Sequence, residues 1–214
     1  MMNLEQRTAA MRDFFNRKAE EDYDGVHLKR MENKRRIAQR LPEGTVRVLD
    51  LGGGTGLELF PVFERFAEAQ VTVMDISEGM LKVLRTRPFA DHLTILCGDF
   101  FSMDFGKDYD AVISSAALHH FSETDKLRLY RKVLESLRPG GVFVNSDRCA
   151  ESQERQDFLF HELEVNAASY VHLDTPLTVE NERRLLEDAG FVDFSASAIE
   201  GGDYWLISAV RPAP

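Results

Sequence analysis

The run VLDLGGGTG at residues 48–56 constrains this chain more than any other feature of its sequence. Apolar residues lead into Asp50, and glycines at 52, 54 and 56 then turn the chain into a helical pattern that begins near Leu57. Glycine suits such a turn because the backbone must enter dihedrals that a Cβ disfavours and must let a ligand approach closely. The first N–H groups of the following helix offer donors and the positive end of a dipole. Strand, acid, glycine turn and helix together form the opening unit of a parallel α/β sheet. The spacing is G-x-G-x-G, which departs from the dinucleotide spacing G-x-G-x-x-G and disfavours an NAD-dependent oxidoreductase.

Beyond that unit the chain keeps alternating β-rich runs with helical patterns. Strands are predicted at Val46–Leu51, Val71–Asp75, His92–Cys97, Asp110–Ser114 and Val142–Asn145, the last preceded by a turn at Pro139-Gly-Gly141. Helices are predicted at Leu57–Phe66, from a Ser77 cap to about Arg85, and from a Ser122–Asp125 capping box onward. In the last of these Leu127, Tyr130, Leu134 and Leu137 form the expected buried stripe. A helix at Thr178–Ala189 stops at Gly190. Phe191–Ile199 and Tyr204–Val210 then read as an antiparallel closing pair. Two segments fall outside this rhythm: residues 1–40, helical and charged, and residues 151–176, which follow the fifth strand. The expectation is one domain over 1–214, with 1–40 as an N-terminal helical cap and 151–176 as a lid insertion.

The composition suits a folded domain, with 43% hydrophobic and 29% charged residues. No apolar run approaches the ~18–20 residues that span a bilayer, and residues 1–20 lack the apolar stretch of a secretory signal. Two cysteines, Cys97 and Cys149, give no disulfide framework, so a reduced, cytoplasmic setting is expected. The net charge of −10 disfavours nucleic acid as a partner. The charge is uneven, since residues 1–44 hold ten of the 26 basic and eight of the 36 acidic residues. Lys29, Arg30, Lys34, Arg35, Arg36 and Arg40 read either as a solvated helix face or as a surface for an acidic substrate.

Two further predicted strands end in an acid. Asp75 closes the second strand, where a carboxylate stands beside the glycine turn and can accept both hydroxyls of a ribose. Asp99 follows the third, in Gly98-Asp-Phe100, and can accept from an adenine amino group while Phe100 lines the ring. A helix cap and a turn residue are the plain alternatives for these two acids. The three sites, in this order, resemble the class I S-adenosylmethionine-dependent methyltransferase family from about Val46 onward. Asp50–Gly56 looks like the family's first motif and Asp75, followed by Ile76, its ribose-binding acid. Gly98–Phe100 looks like its adenine turn, Tyr109–Ser115 its fourth motif, and Leu137–Gly141 the turn before its fifth strand. The resemblance implies a Rossmann-like doubly wound sheet of seven strands, order 3-2-1-4-5-7-6 with strand seven antiparallel. It implies S-adenosylmethionine across the carboxyl ends of strands one to four, touching Asp50, Gly52, Gly54, Gly56, Asp75, Ile76, Asp99, Phe100, Ser114 and Ser115.

After the fourth motif the chain reads Ser114-Ser-Ala-Ala-Leu-His119-His120. It lacks the Asn-Pro-Pro-Tyr type of sequence that resembles nucleic-acid amino methylases. Methyl transfer from a sulfonium is an in-line displacement in which alignment and exclusion of water dominate, and the acceptor must also lose a proton. Imidazole has a suitable pKa, so His119 and His120 are the candidate catalytic residues. A structural role and a metal role compete with that reading. Adjacent histidines rarely share one ion and no ligand spacing supports a site, so no metal is expected. Tyr23, His161 and Tyr170 are the candidate lid residues over the acceptor, although Tyr23 and Phe15 read equally as packing for the first helices. The function that follows is methyl transfer from S-adenosylmethionine to a small-molecule acceptor. A cofactor-modifying or RNA-directed member of the fold, or a binding protein that keeps the fold without the chemistry, is the alternative.

Overall fold

The computed structural model describes residues 4–165, 174–199 and 203–213. Three helices come first: α1 (Leu4–Lys18), α2 (Tyr23–His27) and α3 (Met31–Arg40). The alternation then follows as β1 (Arg47–Leu51), α4 (Leu59–Arg65), β2 (Gln70–Asp75), α5 (Glu78–Leu84), β3 (Leu93–Cys97) and β4 (Tyr109–Ser115). It continues through α6 (Glu123–Ser136), β5 (Leu137–Arg148), α7 (Gln153–Val165), α8 (Val179–Ala189), β6 (Val192–Ala198) and β7 (Tyr204–Val210). The seven strands form one sheet in the order β3-β2-β1-β4-β5-β7-β6. Pairing is parallel from β3 to β5, and β7 runs antiparallel to both β5 and β6.

Both faces of the central strands are covered, which is why β1 and β2 read as apolar runs rather than strict alternations. On one face Leu49, Leu51, Val112 and Phe143 pack with Leu129, Val133, Leu185 and Leu186 of α6 and α8. On the other, Val48, Val71, Val73, Ile113 and Val144 pack with Ile37 of α3, Val62 of α4 and Leu81 and Leu84 of α5. Each such fully buried aliphatic side chain contributes about 1.5–3 kcal/mol relative to exposure. The cap signals are realised locally. Ser77, Ser122 and Thr178 accept from the N–H of Met80, Asp125 and Asn181, and Gly190 ends α8 in the left-handed region at φ 104°. Each of these N-caps stabilises its helix by about 1 kcal/mol.

Three local expectations are corrected. The buried stripe of α6 runs through Lys126, Leu129, Tyr130 and Val133, while Leu127 and Leu134 flank it and Leu137 begins β5. Lys126 is inside because Glu182 of α8 receives its ammonium and the Tyr130 hydroxyl, a pairing invisible to hydrophobic periodicity. The Pro139-Gly-Gly141 turn lies within β5, where Gly140 N–H donates to Arg211 O and Arg211 N–H to Gly141 O, so backbone pairing continues through the turn. Finally, the apolar-faced helix that the sequence predicts from Asp157 within the 151–176 segment begins at Gln153 as α7, because Ser152 Oγ accepts from Arg155 N–H and starts the helix earlier. Among the described residues no helix is long and apolar enough to cross a membrane.

Candidate active site

The carboxyl ends of β1 to β4 open into a cavity of about 760 Å³, solvent-facing mouth included. The glycine turn forms its floor. Gly52 has φ 74°, its N–H donates to Met74 O at 2.7 Å, and a Cβ there would fall 2.4 Å from the Ala117 Cβ. A side chain at Gly52 would therefore occupy the space between the β1 and β4 turns, which are both part of the cavity wall. Gly54 has φ 50° and donates its N–H to Asp75 Oδ2 at 2.9 Å.

Asp75 holds two backbone donors, Gly54 N–H and Ser77 N–H at 2.8 Å, and still faces the cavity. Burial raises its pKa to about 6, and the two N–H donors work against that rise. The carboxylate thus has lone pairs left for hydroxyl donors and a strong electrostatic reason to take them. Ile76, Asp99, Phe100 and Ser115 also line the cavity. Asp99 fixes its own turn by accepting from Phe101 N–H at 3.1 Å, and Phe100 is buried against Phe121.

Three of the expected cofactor residues stand elsewhere. Ser114 is fully buried and donates to Leu51 O at 2.8 Å, tying β4 to β1 behind the wall that Ser115 faces. Gly56 packs on Leu84, where a Cβ would approach within 2.4 Å, so it serves the joint between the turn and α5. Asp50 lies beneath the turn, fully buried, and its oxygens accept no hydrogen bond from the described residues. Burial first and the neighbouring Glu58 carboxylate second push its pKa well above the ordinary carboxylate range. Lys34 of α3 answers this pair from above, donating to Glu58 Oε2 at 2.9 Å and to Ser115 Oγ at 3.3 Å. Lys34, Glu58, Arg30, Tyr204 and the backbone of Gly52–Gly54 line a polar recess beside the main cavity. Lys34 therefore leaves the basic face, while Arg35 and Arg36 pair with Glu32 at its surface.

The N-terminal helices close the cavity from above. Asn16 of α1 accepts from Ser77 Oγ at 2.9 Å and Gly79 N–H at 3.0 Å, and Arg7 pairs with Asp125. Asp24 of α2 accepts from Thr55 Oγ1 at 2.7 Å and pairs with Arg87, which fastens α2 to the glycine turn. Tyr23, stacked on His27 with ring centroids 4.0 Å apart, sits where the main cavity, the recess and a third cavity meet.

That third cavity, about 820 Å³ with its open part, lies against Phe14, Phe15, Arg30, Arg148 and both histidines. His120 and Phe15 belong to its wall and to the wall of the cofactor-side cavity. Asp147, at the carboxyl end of β5, organises the pair. Its Oδ2 accepts from Leu118 N–H at 2.9 Å and His119 N–H at 3.0 Å, and its Oδ1 lies 2.5 Å from His119 Nδ1. Asp174 adds a second carboxylate, with Oδ1 3.3 Å from His119 Nε2 and 3.4 Å from His120 Nδ1. Burial opposes a charged His119, but the two carboxylates outweigh it and raise its pKa to about 9. Against the opposing effect of burial, the same contacts hold Asp147 down at about 2 and depress Asp174 further.

Asp147 was missed by sequence, although it carries the same signal as Asp50, Asp75 and Asp99: an acid at the carboxyl end of a parallel strand. Asp174, Lys34 and Glu58 carry no comparable signal. His161 is exposed on α7 and lines neither large cavity, and Tyr170 lies outside the described residues.

A doubly wound sheet with this strand order, an acid-bearing glycine turn and a ribose-type carboxylate on β2 defines the class I methyltransferase fold. Residues 48–141 match the family profile of a methyltransferase domain. Over residues 48–141 the chain is accordingly similar to the class I S-adenosylmethionine-dependent methyltransferases, in profile as well as in fold. Curated relatives agree on the domain and differ in what they act on. Malonyl-[acyl-carrier protein] O-methyltransferase of Priestia megaterium is 27% identical over 101 residues, 47% of this chain and 36% of that protein. Phosphoethanolamine N-methyltransferase of Plasmodium falciparum is 27% identical over 161 residues, 74% of this chain and 58% of that protein. The chain thus spans roughly a third to three-fifths of the length of these two relatives. Magnesium protoporphyrin IX methyltransferase of Synechocystis PCC 6803, solved with bound SAH, shares the fold at TM-score 0.71 and 17% identity, covering 96% of this chain and 99% of that one. The family's cofactor, S-adenosylmethionine, fits the residues present. Asp75 offers a buried acceptor for a diol, and a Cβ at Gly54 would meet nothing nearer than 4.0 Å, so the turn leaves open a cradle beside that carboxylate.

Proposed function

We propose that this chain transfers a methyl group from S-adenosylmethionine to a small-molecule acceptor seated in the cavity beneath α1 and α2. The observation that carries this reading is the shared wall. His120, Phe15 and Tyr23 line both the cofactor-side cavity and the histidine-lined one, so an acceptor in the second faces the first. When bound, the cofactor supplies an electrophilic methyl group on a sulfonium. Asp75 would hold the ribose hydroxyls, Asp99 and Phe100 the adenine, and Ser115 and the Gly52–Gly54 backbone the path between them. Arg30 and Glu58 in the polar recess suit the carboxylate and ammonium of the methionine end, with Asp50 and Lys34 supporting the turn.

Residues 1–40 act as the cap and 151–176 as the lid in this reading. The apolar Phe14 and Phe15 exclude water from the shared wall, which strengthens alignment of the reacting atoms. His120 orients the acceptor and takes its proton. His119 is held by Asp147 behind it and keeps the turn in place. The acceptors of the relatives, a malonyl group on a carrier protein and phosphoethanolamine, differ from each other, so the cavity rather than kinship selects the acceptor here. The acidic surface supports a small molecule over RNA.

The test is calorimetric titration with S-adenosylhomocysteine and NAD. Mass-spectrometric detection of acceptor-dependent S-adenosylhomocysteine from a metabolite extract follows it. Tight binding of the sulfur ligand alone and turnover that is lost in His120→Ala are expected. No binding of S-adenosylhomocysteine would overturn the reading.

A further inference from the structure

We propose that His119 Nε2, His120 Nδ1 and Asp174 Oδ1 form a binding site for one divalent transition cation, of the Zn2+ or Co2+ class, at the wall of the acceptor cavity. The three donor atoms all lie within 4.8 Å of one another. Asp174 Oδ1 stands 3.3 Å from one imidazole nitrogen and 3.4 Å from the other. Two ligands held about 2.0–2.1 Å from one tetrahedral ion are about 3.3–3.4 Å apart, so both separations match the edge of such a site.

The outer partners point the same way. A ligating histidine commonly gives its other ring N–H to a carboxylate, which fixes the tautomer and directs the free lone pair at the metal. His119 Nδ1 meets Asp147 Oδ1 at 2.5 Å, and that carboxylate is itself anchored by the Leu118 and His119 N–H groups. The tautomer with its proton on Nδ1 aims the Nε2 lone pair at Asp174. On the carboxylate ligand, Arg148 pairs with Oδ2 and leaves Oδ1 turned to the histidines. Two of the three ligands, His119 and Asp174, are thus oriented by a group that does not compete for the donor atom.

Two imidazoles and one carboxylate favour zinc or cobalt over magnesium or calcium, which take mostly oxygen ligands. Among the described residues three ligands converge, and a tetrahedral ion takes a fourth donor. In the acceptor cavity that position suits an acceptor oxygen. This role, unlike the binding itself, rests on the methyl-transfer reading. A hydroxyl bound there loses its proton to water more readily because the cation stabilises the alkoxide. Its lone pair then forms the O–C bond while the C–S bond breaks, and the bonding pair stays on sulfur as a neutral thioether. His120 is then a ligand, and deprotonation of the acceptor passes from it to the cation.

The test uses the untagged full chain, stripped with chelator and titrated with Zn2+ by calorimetry and with Co2+ by visible absorption. One ion per chain, with the d–d bands of a tetrahedral cobalt site, is expected. Asp174→Ala and His120→Ala should each weaken binding at least tenfold, while the exposed His161→Ala should not. Thermal melts of each variant without metal separate lost ligation from lost folding, and Asp174 is partly exposed, so its replacement leaves the core intact. No stoichiometric binding, or binding that survives Asp174→Ala, overturns the site. Cation binding without methyl transfer to any acceptor would leave the site standing and remove the reading beneath its role. Methyl transfer that needs no bound cation would leave the methyl-transfer reading standing and remove the cation's role in it.

Discussion

Asp75→Asn should separate cofactor binding from stability. The carboxylate already accepts from Gly54 and Ser77 N–H groups and is offered here as the acceptor for both ribose hydroxyls. Asparagine keeps the shape but loses the charge and presents an NH2 group on one side. Hydrogen bonds to a charged acceptor contribute about 1.5–3 kcal/mol against about 0.5–1.5 for neutral ones. Weakening two hydroxyl contacts, one of them to a donor-facing NH2, should cost about 2–4 kcal/mol, or roughly 30- to 1000-fold in affinity. Stability should move far less, because two effects oppose. Burial lifts the Asp75 pKa from 3.8 to about 6, and at about 1.36 kcal/mol per unit the ionised side chain costs about 3 kcal/mol. The amide escapes that cost and forfeits about 1–3 kcal/mol at the Gly54 N–H. Calorimetry with S-adenosylhomocysteine and a thermal melt on the same sample provide the assay. A melting temperature several degrees lower with affinity within threefold of the intact protein would refute the assignment and leave Asp75 a turn residue.

The same shift gives a pH signature. The folded pKa stands above the unfolded one, so the cofactor-free protein gains stability as pH falls from about 6 towards 3.8, the window in which only the folded state holds the proton. Cofactor binding needs the carboxylate and should weaken up to tenfold per unit below pH ~6, a dependence that Asp75→Asn should lack. Ser114→Ala should leave the cofactor affinity unchanged and lower stability by about 1–3 kcal/mol, since Leu51 O loses its buried donor; melts and titrations read both. Lys34→Met should remove the cation facing the Asp50–Glu58 pair and lower the melting temperature more at high pH than at low pH, because protonation relieves the pair. An equal loss at both pH values would count against a shared carboxyl site.

Much of the fold was legible because its signals are local. Apolar strand runs, capping serines and Gly190 act within a few residues, and the structure places each within a residue or two of its expected position, except β5, which starts five residues early at Leu137 and ends three residues late at Arg148. Strand order came from the resemblance rather than from periodicity, which does not say which strands are neighbours. Where local reading failed, a distant partner decided. Lys126 enters the α6 core because Glu182 lies across from it, and the Pro139–Gly141 turn stays in β5 because Arg211 pairs with it.

The site divides along the same line. Gly52, Gly54, Asp75, Asp99 and Phe100 were readable because each stands at the end of a strand, where the sheet itself delivers them to the cavity. Ser114 was misplaced by one pleat: alternation along β4 sends it to the Leu51 carbonyl and its neighbour Ser115 to the cavity. The charged groups that tune the site come from far away in sequence. Lys34 reaches Glu58 across 24 residues, Asp147 meets His119 across 28, and Asp174 belongs to the segment after α7. A histidine pair read alone has no stated partner, which is why base and scaffold compete in the sequence and no metal is expected from it. With Asp147 behind His119 and Asp174 in front of both rings, the pair becomes a directed set of donor atoms. Its chemistry then depends on what occupies the space between three converging atoms, and the cobalt spectrum of Asp174→Ala against the intact chain decides that directly.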